Sequence, residues 1–174
     1  MKKWVMLGVF YLLTACGFQP LYVQKTGGSW YYDAQFDTSI TEEMSQVKIS
    51  LIKDRFGQIL RNDLLDLLTP KGAPKNAKYV LNIELEDRVV VQQAMRNDVT
   101  ATSERVEYRV KYSLTKENYD LVSGNSIAFV SYDILANPYS TTMAQKKAES
   151  DAANIIANDI ALRLGAFFHT ILSK

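Results

Sequence analysis

The sequence predicts an α+β fold: a two-layer sandwich in which two helices pack on a four-stranded, mainly antiparallel sheet, in the order β-α-β-β-β-α. Three observations carry this. Four stretches alternate apolar and polar side chains with a period of two, the mark of strands with one buried face. Two stretches repeat apolar residues at helical spacing. Both kinds of element have one apolar side to bury, and stacking helices on a sheet buries both.

The first strand is expected at residues 46–53, where Val47, Ile49 and Leu51 alternate with Lys48, Ser50 and Ile52. Asp54 then has the chemistry of an N-cap. Phe56, Leu60, Leu64, Leu67 and Leu68 form a helical stripe through residues 55–69. Pro70, Gly72 and Pro74 end that helix, since proline lacks the N–H a helix interior needs. The second strand, 79–91, sets Tyr79, Leu81, Ile83 and Leu85 against Asn82, Glu84 and Glu86. The third, 101–116, sets Val106, Tyr108, Val110, Tyr112 and Leu114 against Arg105, Glu107, Arg109, Lys111 and Ser113. Glu117 to Asp120 reads as a hairpin turn leading into a fourth strand at 121–135, with a bulge expected at Gly124. Residues 141–172 form the last helix, with Ala153, Ile156, Ile160, Leu164, Phe167 and Ile171 as its apolar stripe.

Ahead of this domain lies a targeting signal. Lys2 and Lys3 precede an apolar run from Trp4 to Leu13, which Leu13-Thr14-Ala15-Cys16 closes. A charged start, a short apolar core and small residues before a cut site describe a secretory signal peptide. The run is shorter than the roughly 20 residues a spanning helix needs. Leu-Thr-Ala-Cys resembles the lipobox of bacterial lipoproteins, in which the cysteine thiol is acylated after cleavage. The expected organisation is a cleaved signal peptide at 1–15, a lipidated N-terminus and mostly irregular tether at 16–44, and the α+β domain at 45–174. Cys16 is the only cysteine, so no internal disulfide can form. Acyl chains on it would hold the protein to a membrane at roughly 0.8 kcal/mol per buried methylene. In a resemblance to lipoprotein sorting, the absence of Asp at Gly17 favours the outer membrane.

The chemistry available elsewhere is sparse. His169 is the single histidine and the one cysteine is used for acylation, so metal, cofactor and nucleophile systems are not expected. His169 has an ordinary role beside the negative end of the last helix. Glu42-Glu43 and Glu84, Glu86, Asp87 are paired carboxylates, but the first pair belongs to the tether and the second to a solvated strand face. The chain is therefore not expected to be an enzyme. With 20 Lys and Arg against 19 Asp and Glu, it offers no electrostatic case for nucleic acid. Arg105, Arg109 and Lys111 share one strand face. They fit either an anionic lipid head group or an ordinary solvated face of mixed charge, with Glu107 among them.

Several stretches together resemble the lipopolysaccharide-assembly lipoprotein family, LptE, in its alphaproteobacterial form. They are Cys16-Gly17-Phe18-Gln19-Pro20-Leu21-Tyr22, the helix start from Asp54 to Leu64, the strand from Tyr108 to Leu114, and Ser131-Tyr132-Asp133 with the later Asn158-Asp159-Ile160-Ala161. The resemblance implies the same sandwich and a non-enzymatic outer-membrane role on the periplasmic side. There the lipoprotein plugs the β-barrel translocon LptD and binds lipopolysaccharide. It does not fix which residues bind, so Arg105, Arg109 and Lys111 come from strand parity alone. The alternative is an accessory lipoprotein of another periplasmic lipid-transport system, which calls for an apolar cavity between helices and sheet.

Overall fold

A computed structural model describes residues 38–95 and 101–173. In chain order the elements are α1 (Thr38–Ser45), β1 (Val47–Ile49), α2 (Asp54–Leu68), β2 (Tyr79–Met95), β3 (Ala101–Lys116), β4 (Tyr119–Asp133) and α3 (Pro138–Leu172). The sheet order is β1-β2-β3-β4. β1 runs parallel to β2, with α2 as the crossover, and β2, β3 and β4 form an antiparallel meander. α2 lies against β1 and α3, and α3 lies against β4. The α+β two-layer arrangement is the one the periodicity predicts, with one helix more.

That extra helix, α1, falls within the span expected to be irregular. Met44 on it is buried in the core and Ile40 packs against that core. Glu43 pairs with Lys78 at 2.6 Å, which joins α1 to the start of β2.

β1 is shorter than the alternation suggested. Its last ladder contact is the Ser50 N–H donating to the Leu81 carbonyl. Beyond it the chain leaves the sheet, and the parity of the next two residues inverts: Leu51 is 88% exposed and Ile52 only 8%. Asp54 is not the N-cap. Lys53 holds that position in an extended conformation without a side-chain cap bond, and Asp54 opens the helix at φ 67°, a region that Asp tolerates better than most side chains. Its charge still suits the positive end of the helix. Phe56, Leu60, Leu64 and Leu68 form the buried stripe of α2, whereas Leu67 is exposed. Burying each such side chain contributes roughly 1.5–3 kcal/mol. The helix ends at Thr69, and the Gly72 N–H donates to the Thr69 carbonyl at 2.8 Å, closing a turn that needs φ 103° at Gly72.

β3 and β4 meet in a two-residue turn, tighter than the four residues expected. Glu117 and Asn118 both take positive φ, the combination that matches hairpin twist. The bulge expected at Gly124 is elsewhere. The β3–β4 register shifts between Leu114 and Thr115. Gly124 stays in register opposite Tyr112, and a Cβ there would stand 2.8 Å from the Tyr112 hydroxyl, so the glycine makes room for that ring.

α3 starts earlier than the apolar stripe implied. The Asn137 side chain accepts the Tyr139 N–H at 2.9 Å, and Pro138 occupies the first turn, where its missing N–H costs nothing. Its buried side is rich in alanine: Ala148, Ala152, Ala153, Ala157 and Ala161 accompany Ile156, Ile160 and Leu164. Near its end Phe168 enters the core, edge-on to Tyr79 at 5.1 Å, while Phe167 is half-buried and Ile171 exposed. α3 is long and apolar enough to cross a membrane by length and composition. Its fully buried Ala152, Ile156, Ile160 and Leu164 place it as a core helix of this layer.

Candidate functional site

The outer face of the sheet is built by strand parity, and one bulge decides its character. In β2 before the bulge, Tyr79, Leu81 and Ile83 point to the helices and are buried. The β2–β3 register then shifts between Leu85 and Asp87, leaving Glu86 as the additional residue. An extra residue exchanges the two faces of everything that follows it. Continued alternation would have sent Val89 and Val91 inward. Instead Arg88 and Val90 pair with the inward Tyr108 and Val106, and Val89 and Val91 join the outer face beside Glu107 and Arg105.

The outer face therefore carries three cross-strand rows. Val91, Arg105 and Ser131 form one; Val89, Glu107 and Phe129 the next; Asp87, Arg109 and Ile127 the third. Phe129 is 60% exposed and Val91 51%, with Val89 and Ile127 close behind. Aromatic and aliphatic surface thus interleaves with guanidinium groups. Sequence reading missed the apolar half of this face. Its signal was the unbroken Val89-Val90-Val91, which no single alternation can bury.

All three cations predicted from parity lie exposed on β3. Strand rise spaces Arg105 and Arg109 by roughly 13 Å and Arg109 and Lys111 by roughly 7 Å. Arg109 pairs with Glu107 at 2.7 Å, and that carboxylate raises the Arg109 pKa further above its ordinary value. Arg105 takes part in none of the ion pairs among the described residues. Lys111 stands in register with Glu84 and borders a cleft of about 420 Å³ with Asn82 and Leu51. The three cations share a face without converging on one point.

On the inner face, past the bulge, the Arg88 guanidinium donates to the Tyr108 hydroxyl at 3.3 Å and lies over its ring, while Phe56 stacks on the same ring at 4.4 Å. Tyr132 donates to Glu104, and burial together with that carboxylate pushes its pKa up to about 12. The buried Ser126 donates to Asp159 at 2.6 Å, and Asp159 also accepts from Arg163, which ties β4 to α3. None of these pairs was visible from spacing.

Two of the paired carboxylates have partners within the chain. Glu43 is bound to Lys78, and Asp87 accepts the backbone N–H of Arg88 at the bulge. His169 is exposed in the last turn of α3. Among the described residues no group of three or more His, Cys, Asp or Glu could hold a metal ion. Cys16, the predicted acylation site, lies outside the described residues.

Solved structures share this fold. A lipoprotein from Caulobacter crescentus superposes with a TM-score of 0.65 at 21% identity, covering 76% of this chain and 97% of its own. The rare lipoprotein B from Shewanella oneidensis gives 0.55 at 11% identity over 74% of this chain and 98% of its own. A minor lipoprotein from Acinetobacter baumannii gives 0.52 at 14% identity over 69% and 90%. The comparison with curated proteins gives no match. The model of the lipopolysaccharide-assembly family LptE matches residues 44–164, more than half of the chain and all of the sheet described above. The chain belongs to the lipopolysaccharide-assembly LptE family, a family of non-enzymatic envelope lipoproteins.

Proposed function

We propose that this chain is an outer-membrane lipoprotein, acylated at Cys16, that serves lipopolysaccharide export as the plug partner of the β-barrel translocon LptD. The observation that carries the reading is the outer sheet face. Rows of Val89, Val91, Ile127 and Phe129 interleaved with Arg105 and Arg109 present what an acylated, anionic glycolipid or a large wet protein interface requires. The cleaved signal peptide at 1–15 and the linking segment ahead of α1 belong to the same proposal. They place the anchor on the periplasmic side and let the domain reach its partner.

The test is co-purification with a large β-barrel from detergent-solubilised outer membranes, combined with depletion and assay of surface lipopolysaccharide. Recovery of a free monomer after mild crosslinking, with surface lipopolysaccharide unchanged on depletion, would overturn the proposal. Replacing Arg105, Arg109 and Lys111 together with glutamine should weaken lipopolysaccharide binding while the thermal transition stays in place. Unchanged affinity would remove those three residues from the site. A role in another periplasmic lipid-transport system calls for an apolar cavity between the layers. The side chains facing that interior, among them Leu60, Leu64, Val110, Ile156 and Leu164, are fully buried and belong to one core cluster.

A further inference from the structure

At the opposite margin of the sheet lies a second, smaller cleft of about 360 Å³, between the edge strand β1, the middle of α2 and the loop that leads into β2. Three cations line it: Lys48 from β1, Arg61 from α2 and Lys75 from the loop. No acidic side chain is among its described lining residues. None of the three cations takes part in the ion pairs found among the described residues. One group in it lacks a partner where partners are normally found. The Arg61 Nε is buried from solvent and donates no hydrogen bond, the one such buried side-chain nitrogen or oxygen among the described residues. Buried donors are almost always satisfied, and no described residue supplies an acceptor for this one.

The backbone adds N–H donors, with carbonyl groups beside them, to the same place. Gln46 accepts from Lys78, and the Ser50 N–H donates to Leu81, so the even-numbered residues flanking β1 turn their backbone groups toward β2. Alternation along a strand turns those of Val47 and Ile49 the other way, to the unpaired edge that borders the cleft. A guanidinium, two ammonium groups and outward-facing amides, with no carboxylate between them, match a compact polyvalent anion better than a single carboxylate.

We infer that this cleft, held by Lys48, Arg61 and Lys75, binds a phosphate group. The occupant is a terminal phosphate group, either the phosphomonoester of a lipid head group or free inorganic phosphate. The inference does not rest on the outer sheet face, which lies on other strands and carries other cations.

The test uses the full chain and three probes followed by NMR: inorganic phosphate, a short-chain phosphatidic acid below its micelle concentration, and the matching short-chain phosphatidylcholine. The readouts are the amide signals of Val47 and Ile49 and the Nε–H signal of Arg61. Saturable shifts with both inorganic phosphate and phosphatidic acid support the site. Tighter binding of phosphatidic acid identifies a lipid head group as the source, and equal binding identifies free phosphate. Lys48→Gln with Lys75→Gln, both at exposed positions, should weaken either probe by about tenfold, in line with the loss of charge-assisted bonds. Arg61→Lys, which keeps the charge and removes Nε, should lose affinity as well, and the double variant at exposed positions tests the site independently of any change in packing around Arg61. No shift with either inorganic phosphate or phosphatidic acid, equal shifts with phosphatidylcholine or with chloride at matched ionic strength, or undiminished binding by the double variant would overturn the inference.

Discussion

On one side of Glu86, β2 is an ordinary half-buried strand, with Leu81 and Ile83 under the helices and Asn82 and Glu84 outside. On the other side the same strand turns Arg88 toward the helix side and sends Val89 and Val91 outward. The first half obeys the hydrophobic alternation and supports the fold. The second half departs from it and leaves Val89, Val90 and Val91 all exposed. A single inserted residue separates the half-buried stretch from the one with exposed valines, because the side-chain period of a strand is two.

The sharpest way to test this division is to compare truncations on its two sides. Leu164→Ala, in the fully buried core, should cost about 2–5 kcal/mol in urea unfolding, the range for a buried leucine that leaves a cavity. Phe129→Ser combined with Val91→Thr removes comparable apolar surface from the outer face and should change stability by about 0.5 kcal/mol or less. Barrel co-purification should nonetheless fall. Large unfolding by the outer pair would erase the distinction.

Gly57→Ala probes how closely the chain packs where it leaves β1. A Cβ at Gly57 would fall 2.5 Å from Ile52 Cγ2 and 3.1 Å from its carbonyl carbon, so backbone must shift. The expected cost is about 1–3 kcal/mol, despite alanine's better helix propensity. A gain in Tm would show that Ile52 moves freely.

The smallest effect is a titration. Tyr132 ionises near 12 in the folded protein, against an ordinary phenol value of 10, because burial and Glu104 disfavour the phenolate. A folded-state pKa above the unfolded one contributes stability that is complete below pH 10 and is lost as pH rises toward 12. Burial also raises the Tyr79 phenol, so phenolate absorbance should show late titration of which the component near 12 disappears in Tyr132→Phe, and the variant's stability should fall less between pH 10 and 12 than the parent's.

Much of the scaffold was legible because its cause is local and repetitive. Residues 56, 60, 64 and 68 mark one side of a helix whatever they meet, and 106 to 114 mark one side of a strand. The departures all involve a neighbour distant in sequence. Ile52 is buried because β1 stops at Ser50 and the chain folds over Gly57, not because of its place in an alternation. Gly124 has no bulge to make; it clears space for a ring on the next strand. Phe168 takes the place expected for Phe167 in the stripe and meets Tyr79 edge-on, a contact between helix and sheet that spacing does not show.

The sequence by itself determined the class of fold and the family, because periodicity and short motifs survive without knowledge of contacts. It also placed Arg105, Arg109 and Lys111 on one strand face. Only the tertiary structure decided what surrounds them: that Val89 and Val91 share their face, that Glu107 holds Arg109, and that Arg61 meets Lys48 and Lys75 across a cleft without a partner for its Nε. Pairing register and the position of a bulge depend on which strands meet and where a turn places them, and a one-residue change in either moves every later side chain to the other face.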